Sequence, residues 1–424
     1  MVPYVRRIVD SELDDLFVHV PAIALDGPKG IGKTTTAEQR VDGLAKLDSK
    51  SVREAVAAAP ESILLRPRPL LVDEWQRVPE VWDVIRRAVD SDPRGGQFLL
   101  TGSATPAEGA TTHSGAGRIG RVRMRPMTLA ERGLVVPTVS LQALLTGTRP
   151  PLDGATSFTL VDYVDEILAS GLPALRGLSP RALRFQLDSY LRNAVEREVV
   201  EQGLRVRKPE SMLAWLRAYA AATSTTASYS QILDAATPGD AHKPARATSV
   251  SYRDALANIW LLDPVPAWAP TGSALTRLGQ APKHHLADPA LAARLLGLSR
   301  EALLDGEGAV IGPQSGTMLG HLFESLATLC VRVPAQAAEA TTAHMRTRNG
   351  DHEIDLIVVR GDGAVLAIEV KLGGTVDDSD VRHLRWLSKQ MGDRLLDAIV
   401  INSGPAAYRR PDGIGVVPLA LLAP

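Results

Sequence analysis

Ala22-Ile-Ala-Leu-Asp-Gly-Pro-Lys-Gly-Ile-Gly-Lys-Thr-Thr-Thr36 is a short apolar run that passes directly into a glycine-rich turn. Gly27, Pro28, Lys29, Gly30, Ile31, Gly32, Lys33 and Thr34 fit the spacing G-x-x-x-x-G-K-[ST], a phosphate-binding loop set between a strand and a helix. The glycines let successive backbone N–H groups turn inward toward an anion. Lys33 then reaches the β- and γ-phosphates and the Thr34 hydroxyl holds Mg²⁺. Thr35 opens a helix expected to extend to Leu47, with its positive end toward the same phosphates. The ligand class this predicts is ATP with Mg²⁺.

The second half of such a site follows at Pro69-Leu-Leu-Val-Asp-Glu-Trp-Gln76, an apolar strand ending in two acids. Asp73 suits the Mg²⁺ shell. Glu74 is placed to orient or deprotonate the attacking water. A third apolar run, Gln97 to Ser103, ends in Thr101 and Ser103. Those hydroxyls resemble a polar sensor on a strand between the two others, and a plain strand-ending turn explains them equally well.

Strand and helix patterns alternate to about Leu145, which predicts an α/β architecture with a parallel sheet covered by helices. Val161 to about Gln202 reads as a helical lid. Tyr229 to Ala236 and Thr248 to Leu262 read as a helix-turn-helix with a following strand, resembling a winged helix. Ser251, Tyr252 and Arg253 would stand near the start of its second helix, to meet DNA or only to pack. A proline-rich connector, Asp263 to Gly272, leads to a final α+β segment. The expected division is an ATPase domain with lid at 1–205, a winged-helix-like module at 206–270 and a C-terminal domain at 271–424. The loops around 223–249 and 303–317 are the expected flexible stretches.

Composition bounds the rest. A net charge of −1 gives no global signature of a nucleic-acid binder. Residues 171–253 hold twelve Lys and Arg against seven Asp and Glu, and the run Arg118, Arg121, Arg123, Arg125 contains no acid, so any basic surface is local. A single cysteine, Cys330, excludes an internal disulfide framework and reads as a small buried hydrophobe. No signal-like segment and no membrane-length apolar run is visible, so the expected location is cytoplasmic.

Residues 352–372 carry the second strong signal, a hairpin of two β-rich runs joined by Gly361-Asp362-Gly363. The three-residue loop pairs Arg360 with Ala364, which sets Asp355 opposite Glu369. Alternation then puts Glu369 and Lys371 on one face, with Leu366, Ile368, Val370 and Leu372 on the other, core face. The helix beginning Gly320-His-Leu-Phe-Glu is able to bring Glu324 to the same place. Carboxylates that close need a cation between them, which Lys371 supplies only in part, so Mg²⁺ or Mn²⁺ is expected at Asp355 and Glu369. Such a metal would activate water for phosphodiester cleavage.

The hairpin resembles the PD-(D/E)xK nuclease superfamily: Asp355, Glu369 and Lys371 match its signature and Glu324 its helical acid. Nearly the whole chain resembles a bacterial and archaeal family of AAA+-type P-loop ATPases with an uncharacterised nuclease-like C-terminal domain. The resemblance rests on Tyr4 to Leu13, the phosphate loop, Asp73 to Pro79, Leu100 to Ser103, Gly117-Arg118, Arg125 to Glu131 and Ser170 to Pro173. It continues through Pro282-Lys283, Asp288, Glu324 and the hairpin. It implies an arginine finger or sensor role for Arg118, in its own chain or across a homo-oligomer. The stretch Ala110 to Gly117 departs from the pattern. Two functions remain open. In one, nucleotide state gates a metal-dependent nuclease acting on DNA or RNA, in a defence, mobile-element or toxin-like role. In the other, the nuclease-like domain only binds nucleic acid or a small protein partner.

Overall fold

A computed structural model describes residues 4–103, 116–201, 203–204, 208–237, 246–268, 280–305, 318–347 and 350–424. The expected boundaries at 205 and 270 lie outside these residues. So do most of the stretch from Ala110 to Gly117, the end of the connector at Gly272, and much of the two loops expected to be flexible.

The N-terminal part is built on five parallel strands: β1 (Ala22–Asp26), β2 (Gly43–Lys46), β3 (Leu70–Asp73), β4 (Phe98–Gly102) and β5 (Ile119–Arg123). Their order is β2-β3-β4-β1-β5, so β4 separates the strand of the phosphate loop from the strand of the two acids. A parallel sheet of this kind is covered on both faces, which is why β1, β3 and β4 are apolar and buried nearly throughout. Trp75, Trp82 and Ile85 pack on one face. Leu13 and Phe17, from the helix Ile8–Phe17, pack on the other. Each fully buried aliphatic side chain here contributes about 1.5–3 kcal/mol.

The helix expected to run to Leu47 ends at Glu38. Gly43-Leu-Ala-Lys46 becomes β2 instead, an edge strand paired with β3. Its four residues are too few to show strand periodicity, and Gly43 is required because a Cβ there would collide with the Pro67 carbonyl.

Short strand β6 (Val139–Ser140) pairs with a strand at the far C-terminus. The C-terminal sheet itself contains β7 (Thr341–Arg346), β8 (Glu353–Val359), β9 (Val365–Val370), β10 (Leu395–Asn402), β11 (Tyr408–Arg409) and β12 (Gly415–Pro418), in the order β11-β12-β10-β9-β8-β7. The last strand, β13 (Leu422–Ala423), returns to β6. The hairpin register matches the expectation: Leu356 faces Ile368, Val359 faces Val365, and Arg360 N–H donates to the Ala364 carbonyl at 2.9 Å. Both faces of this sheet are packed, however, and not one alone. Leu366 and Ile368 join the core around the helix Met318–Ala337. Val365 and Ala367 meet Leu384 and Leu387 of the helix Arg382–Met391.

Tyr163 and Leu191 of the lid, Trp215 and Leu256 of the middle region, and Phe323 and Ile368 of the C-terminal segment belong to one continuous core. The middle helices Tyr229–Ala236 and Arg246–Asn258 exist, but Leu262 and Val265 make only isolated bridges to Leu286 and Lys283. Tyr252 is buried in that core, and Arg253 lies over the Tyr229 ring while pairing with Asp254. Of the three residues expected to reach DNA, only Ser251 is exposed and free of such packing. Burial of the apolar Tyr252 ring outweighs any presentation to a groove.

Candidate functional site

The phosphate loop is shaped by glycines at positions that demand them. Gly27, Gly30 and Gly32 have φ of 155°, 78° and 96°, and a Cβ on Gly27 would collide with the Met124 carbonyl. The loop is held from behind by Arg7, a buried guanidinium that donates to the Ile31 carbonyl at 2.9 Å and the Arg125 carbonyl at 2.8 Å. Glu131 neutralises Arg7 at 2.9 Å and caps the Ile8 N–H, tying the N-terminal segment to the strand beside the loop.

Lys33 is only 6% exposed. Its ammonium donates to the carbonyls of Gly27 at 2.7 Å and Pro28 at 2.8 Å, with no carboxylate in direct contact. Burial pushes it down to about 8, against the pull of Glu74 and Asp26. The Thr34 hydroxyl donates to Asp73 Oδ1 at 2.8 Å, and Thr101 on β4 donates to the same oxygen. A hydroxyl at the start of the helix after the loop and a carboxylate at the end of β3 are the kind of oxygen donors Mg²⁺ takes from a protein. Thr34 and Asp73 would hold that ion, which would supply positive charge against the phosphates.

Glu74 follows in a left-handed conformation, φ 56° and ψ 45°, strained for a residue with a Cβ. Gln76 donates to its Oε2 at 2.7 Å, and the Ser103 hydroxyl stands 3.4 Å from the same oxygen. Ser103 thus stands beside Glu74. The lid also reaches the loop: Tyr190 donates to the Lys29 carbonyl at 3.3 Å, and Lys29 lies 3.6 Å from Glu198. Asp26, Tyr190, Glu198 and Gln76 had no place in the sequence reading. Only Asp26 carried a signal, as the one acid in an apolar strand.

The Arg118 expectation needs correction for the chain's own site. Parallel register pairs Asp26 with Arg123 and Ala22 with Ile119, so Arg118 lies at the opposite end of the sheet from the loop. Five strand residues span about 16 Å. Arg118 instead pairs with Asp90 at 2.8 Å on an exposed surface. The arginine run does not form one surface patch either. Arg121 is 3.5 Å from Asp26, while Arg123, Arg125 and Arg332 converge on the buried Asp263 at 3.1, 2.8 and 3.0 Å. Burial would raise the Asp263 carboxyl, but the three guanidinium groups outweigh it and hold it far below the usual range. Asp263 thereby joins the strand end beside the phosphate loop to the helix that carries Glu324.

At the C-terminal hairpin, Asp355, Glu324, Glu369 and Lys371 do come together. Lys371 is 3.5 Å from Glu369 Oε2, and the Val370 N–H donates to Asp355 Oδ2 at 2.9 Å. The cation between the carboxylates is nevertheless a protein side chain. Lys283, 1% exposed, donates to Glu324 Oε1 at 2.8 Å and Asp355 Oδ1 at 2.9 Å, and stands 3.5 Å from Glu353. Burial would lower its ammonium, but Asp355 and Glu324 outweigh burial and raise it. Burial raises Asp355 less than Lys283 and Lys371 lower it, so it sits at about 2. Burial carries Glu324 up to about 8 and also raises Glu369 well above the usual carboxylate range, with Asp355 adding to both. Among the described residues, no group of three or more His, Cys, Asp or Glu side chains is arranged to hold a metal ion. With Lys283 already on Asp355 Oδ1, the donor set as it stands does not fit the divalent ion expected at Asp355 and Glu369. The sequence reading placed Lys283 only within the resemblance and gave it no role, because a hydrophilic lysine is ordinarily a surface residue. Cys330 is buried as expected.

Residues 19–132 match the family model described as AAA domain. The N-terminal part is similar to an AAA-type ATPase. Residues 160–302 and 319–422 match two models each described as a domain of unknown function, DUF8612 and DUF4143. Uncharacterized proteins of Mycobacterium tuberculosis and Mycobacterium bovis are each 27% identical over 368 residues, covering 83% of this chain and 71% of theirs. The AAA match supports an AAA-type ATPase and implies nucleotide binding, usually with Mg²⁺. Among the described residues no helix is long and apolar enough to cross a membrane.

Proposed function

We propose that this AAA-type chain is an ATP-hydrolysing switch whose nucleotide state is read by the C-terminal sheet. Lys33 and the loop amides bind the β- and γ-phosphates, Thr34 and Asp73 hold Mg²⁺, Glu74 orients the attacking water, and Ser103 reports on Glu74. The observation that carries the ATPase reading is Asp73, which accepts from Thr34 on one neighbouring element and Thr101 on another, with Glu74 adjacent. Readout runs through Asp263, which ties Arg123 beside the loop to Arg332 in the helix Met318–Ala337. The working division keeps the ATPase with its lid at 1–205, the middle module at 206–270 and the C-terminal domain at 271–424. In this reading the C-terminal domain binds nucleic acid or a protein partner, and the chain works in the cytoplasm. Arg118, facing away from its own loop, serves only a second copy.

The test is Mg²⁺-dependent ATP turnover by the full chain beside Glu74→Gln. Turnover in the wild type and its loss with retained ATP binding in the variant support the reading. Equal turnover in both removes Glu74 from the role.

A second reading, nucleic-acid cleavage gated by ATP, is favoured by the convergence of Glu324, Asp355, Glu369 and Lys371 on one side of the hairpin. Incubation with plasmid DNA and with RNA, with and without ATP and with Mg²⁺ or Mn²⁺, separates the two. Metal-dependent cutting that Asp355→Asn abolishes selects the nuclease.

A further inference from the structure

We infer that Lys283 is the resident cation of Glu324 and Asp355 in the C-terminal cluster, so that these two acids are held together without metal. The inference rests on the binding reading of this domain. Four observations support it. The Lys283 ammonium bridges Glu324 from the helix and Asp355 from β8 at 2.8 and 2.9 Å, so Asp355, one of the two acids expected to hold the ion, already has a cation. Its backbone is fixed on both sides, because Lys283 and Val265 exchange N–H to carbonyl bonds of 2.9 Å each. Its side chain is closed off from water, so exchange for a hydrated ion would need the bridge between Val265 and Lys283 to open. The second oxygen of Asp355 already accepts from Val370 N–H, and Glu369 is left facing Lys371.

An ammonium and a divalent ion compete for the same oxygens but differ in what they do. An ammonium donates three directed hydrogen bonds and carries one charge. It holds helix and hairpin together but generates no hydroxide from water, whereas a catalytic divalent ion does. Lys283 is therefore a positioning residue that locks Glu324 to Asp355, and the cluster is a structural joint between the segment carrying Lys283, the helix and the sheet.

Mn²⁺ titration of the nucleotide-free full chain, followed by electron paramagnetic resonance, tests this directly. Wild type and Asp355→Asn should give superimposable curves, with no Asp355-dependent site tighter than about 1 mM, the weak end of protein carboxylate sites. Lys283→Gln, checked for folding by circular dichroism, should gain one site tighter than that limit. A wild-type Mn²⁺ site that Asp355→Asn removes overturns the inference, as does a folded Lys283→Gln that gains none. Where Lys283→Gln fails to fold, the comparison of wild type with Asp355→Asn still decides. Failure here leaves the ATPase reading intact, since that depends on Lys33 and Glu74 and is measured by turnover.

Discussion

Lys33 and Lys283 are both almost completely buried lysines at the ends of sheets, yet their surroundings oppose each other. Lys33 rests on two neutral carbonyls, and burial holds it down at about 8. Lys283 rests on two carboxylates that hold its proton firmly. A buried ammonium without an anion is costly in a folded protein and persists where a ligand supplies the missing charge. One that already has its anions is complete. The first arrangement marks a site that waits for phosphate; the second marks a joint.

The largest expected effects break the first site. On the proposed role, Glu74→Gln removes the water-activating carboxylate, and general-base loss of this kind costs about 10²–10⁴-fold in rate. ATP affinity, measured by calorimetry, should stay within error of wild type. Lys33→Ala should lower turnover about 10²–10³-fold, as loss of a preorganised cation on a transferring phosphoryl group does, and should weaken ATP binding as well. Retained affinity in Lys33→Ala would mean the loop amides alone hold the phosphates.

Asp263 offers a sharper contrast, because it is a single acid serving three arginines. Asp263→Asn leaves Arg123, Arg125 and Arg332 without a counter-charge in a closed space, and breaking a buried ion network costs about 3–5 kcal/mol. Chemical denaturation should show this loss, and ATP should no longer alter the protease sensitivity of the C-terminal sheet. A variant of wild-type stability would show that water reaches the three guanidinium groups.

A smaller effect follows from the proton on Lys33. Its ordinary value is 10.5 and the folded, nucleotide-free value is about 8, so the empty protein gives up this proton more readily than the unfolded chain does. Stability contributed by neutral Lys33 therefore grows as pH rises from about 8 toward 10.5. Bound triphosphate restores the charge, so ATP binding takes up a proton once the pH exceeds 8. Affinity should be flat below pH 7 and fall about tenfold between pH 7 and pH 9. Constant affinity over that range would place Lys33 among permanently charged lysines.

Much of the ATPase half was legible because its chemistry is local. Gly27 to Thr34 are consecutive, Asp73-Glu74 end one apolar run, and Ser103 ends another. The hairpin register from Arg360-Ala364 to Asp355-Glu369 was legible for the same reason, since a three-residue loop fixes every pair that follows. What was not legible is long-range. Lys283 meets Asp355 across 72 residues, and Asp263 meets Arg125 across 138. Neither distance leaves a periodic trace in the chain. β2 was hidden by shortness, and the burial of Tyr252 by a helix pattern that fits packing and presentation alike.

Arg118 gives the smallest effect and the clearest division between one copy and two. Its guanidinium pairs with the exposed Asp90 and lowers that carboxyl, an interaction that water and salt screen. It stands about 16 Å along β5 from the level of the phosphate loop, so nothing it does in a lone chain touches ATP. In dilute protein the ratio of turnover between Arg118→Ala and wild type should be close to one. If copies assemble so that one sheet's lower edge meets the next copy's phosphate loop, wild-type specific activity climbs with concentration and the variant's does not. The climb should be large, since an arginine supplied in trans is worth about 10³-fold or more in phosphoryl transfer. Sedimentation run beside the assay fixes the outcome: assembly without any difference between the two proteins removes Arg118 from the reaction altogether, and leaves Arg121, 3.5 Å from Asp26, as the next arginine to test.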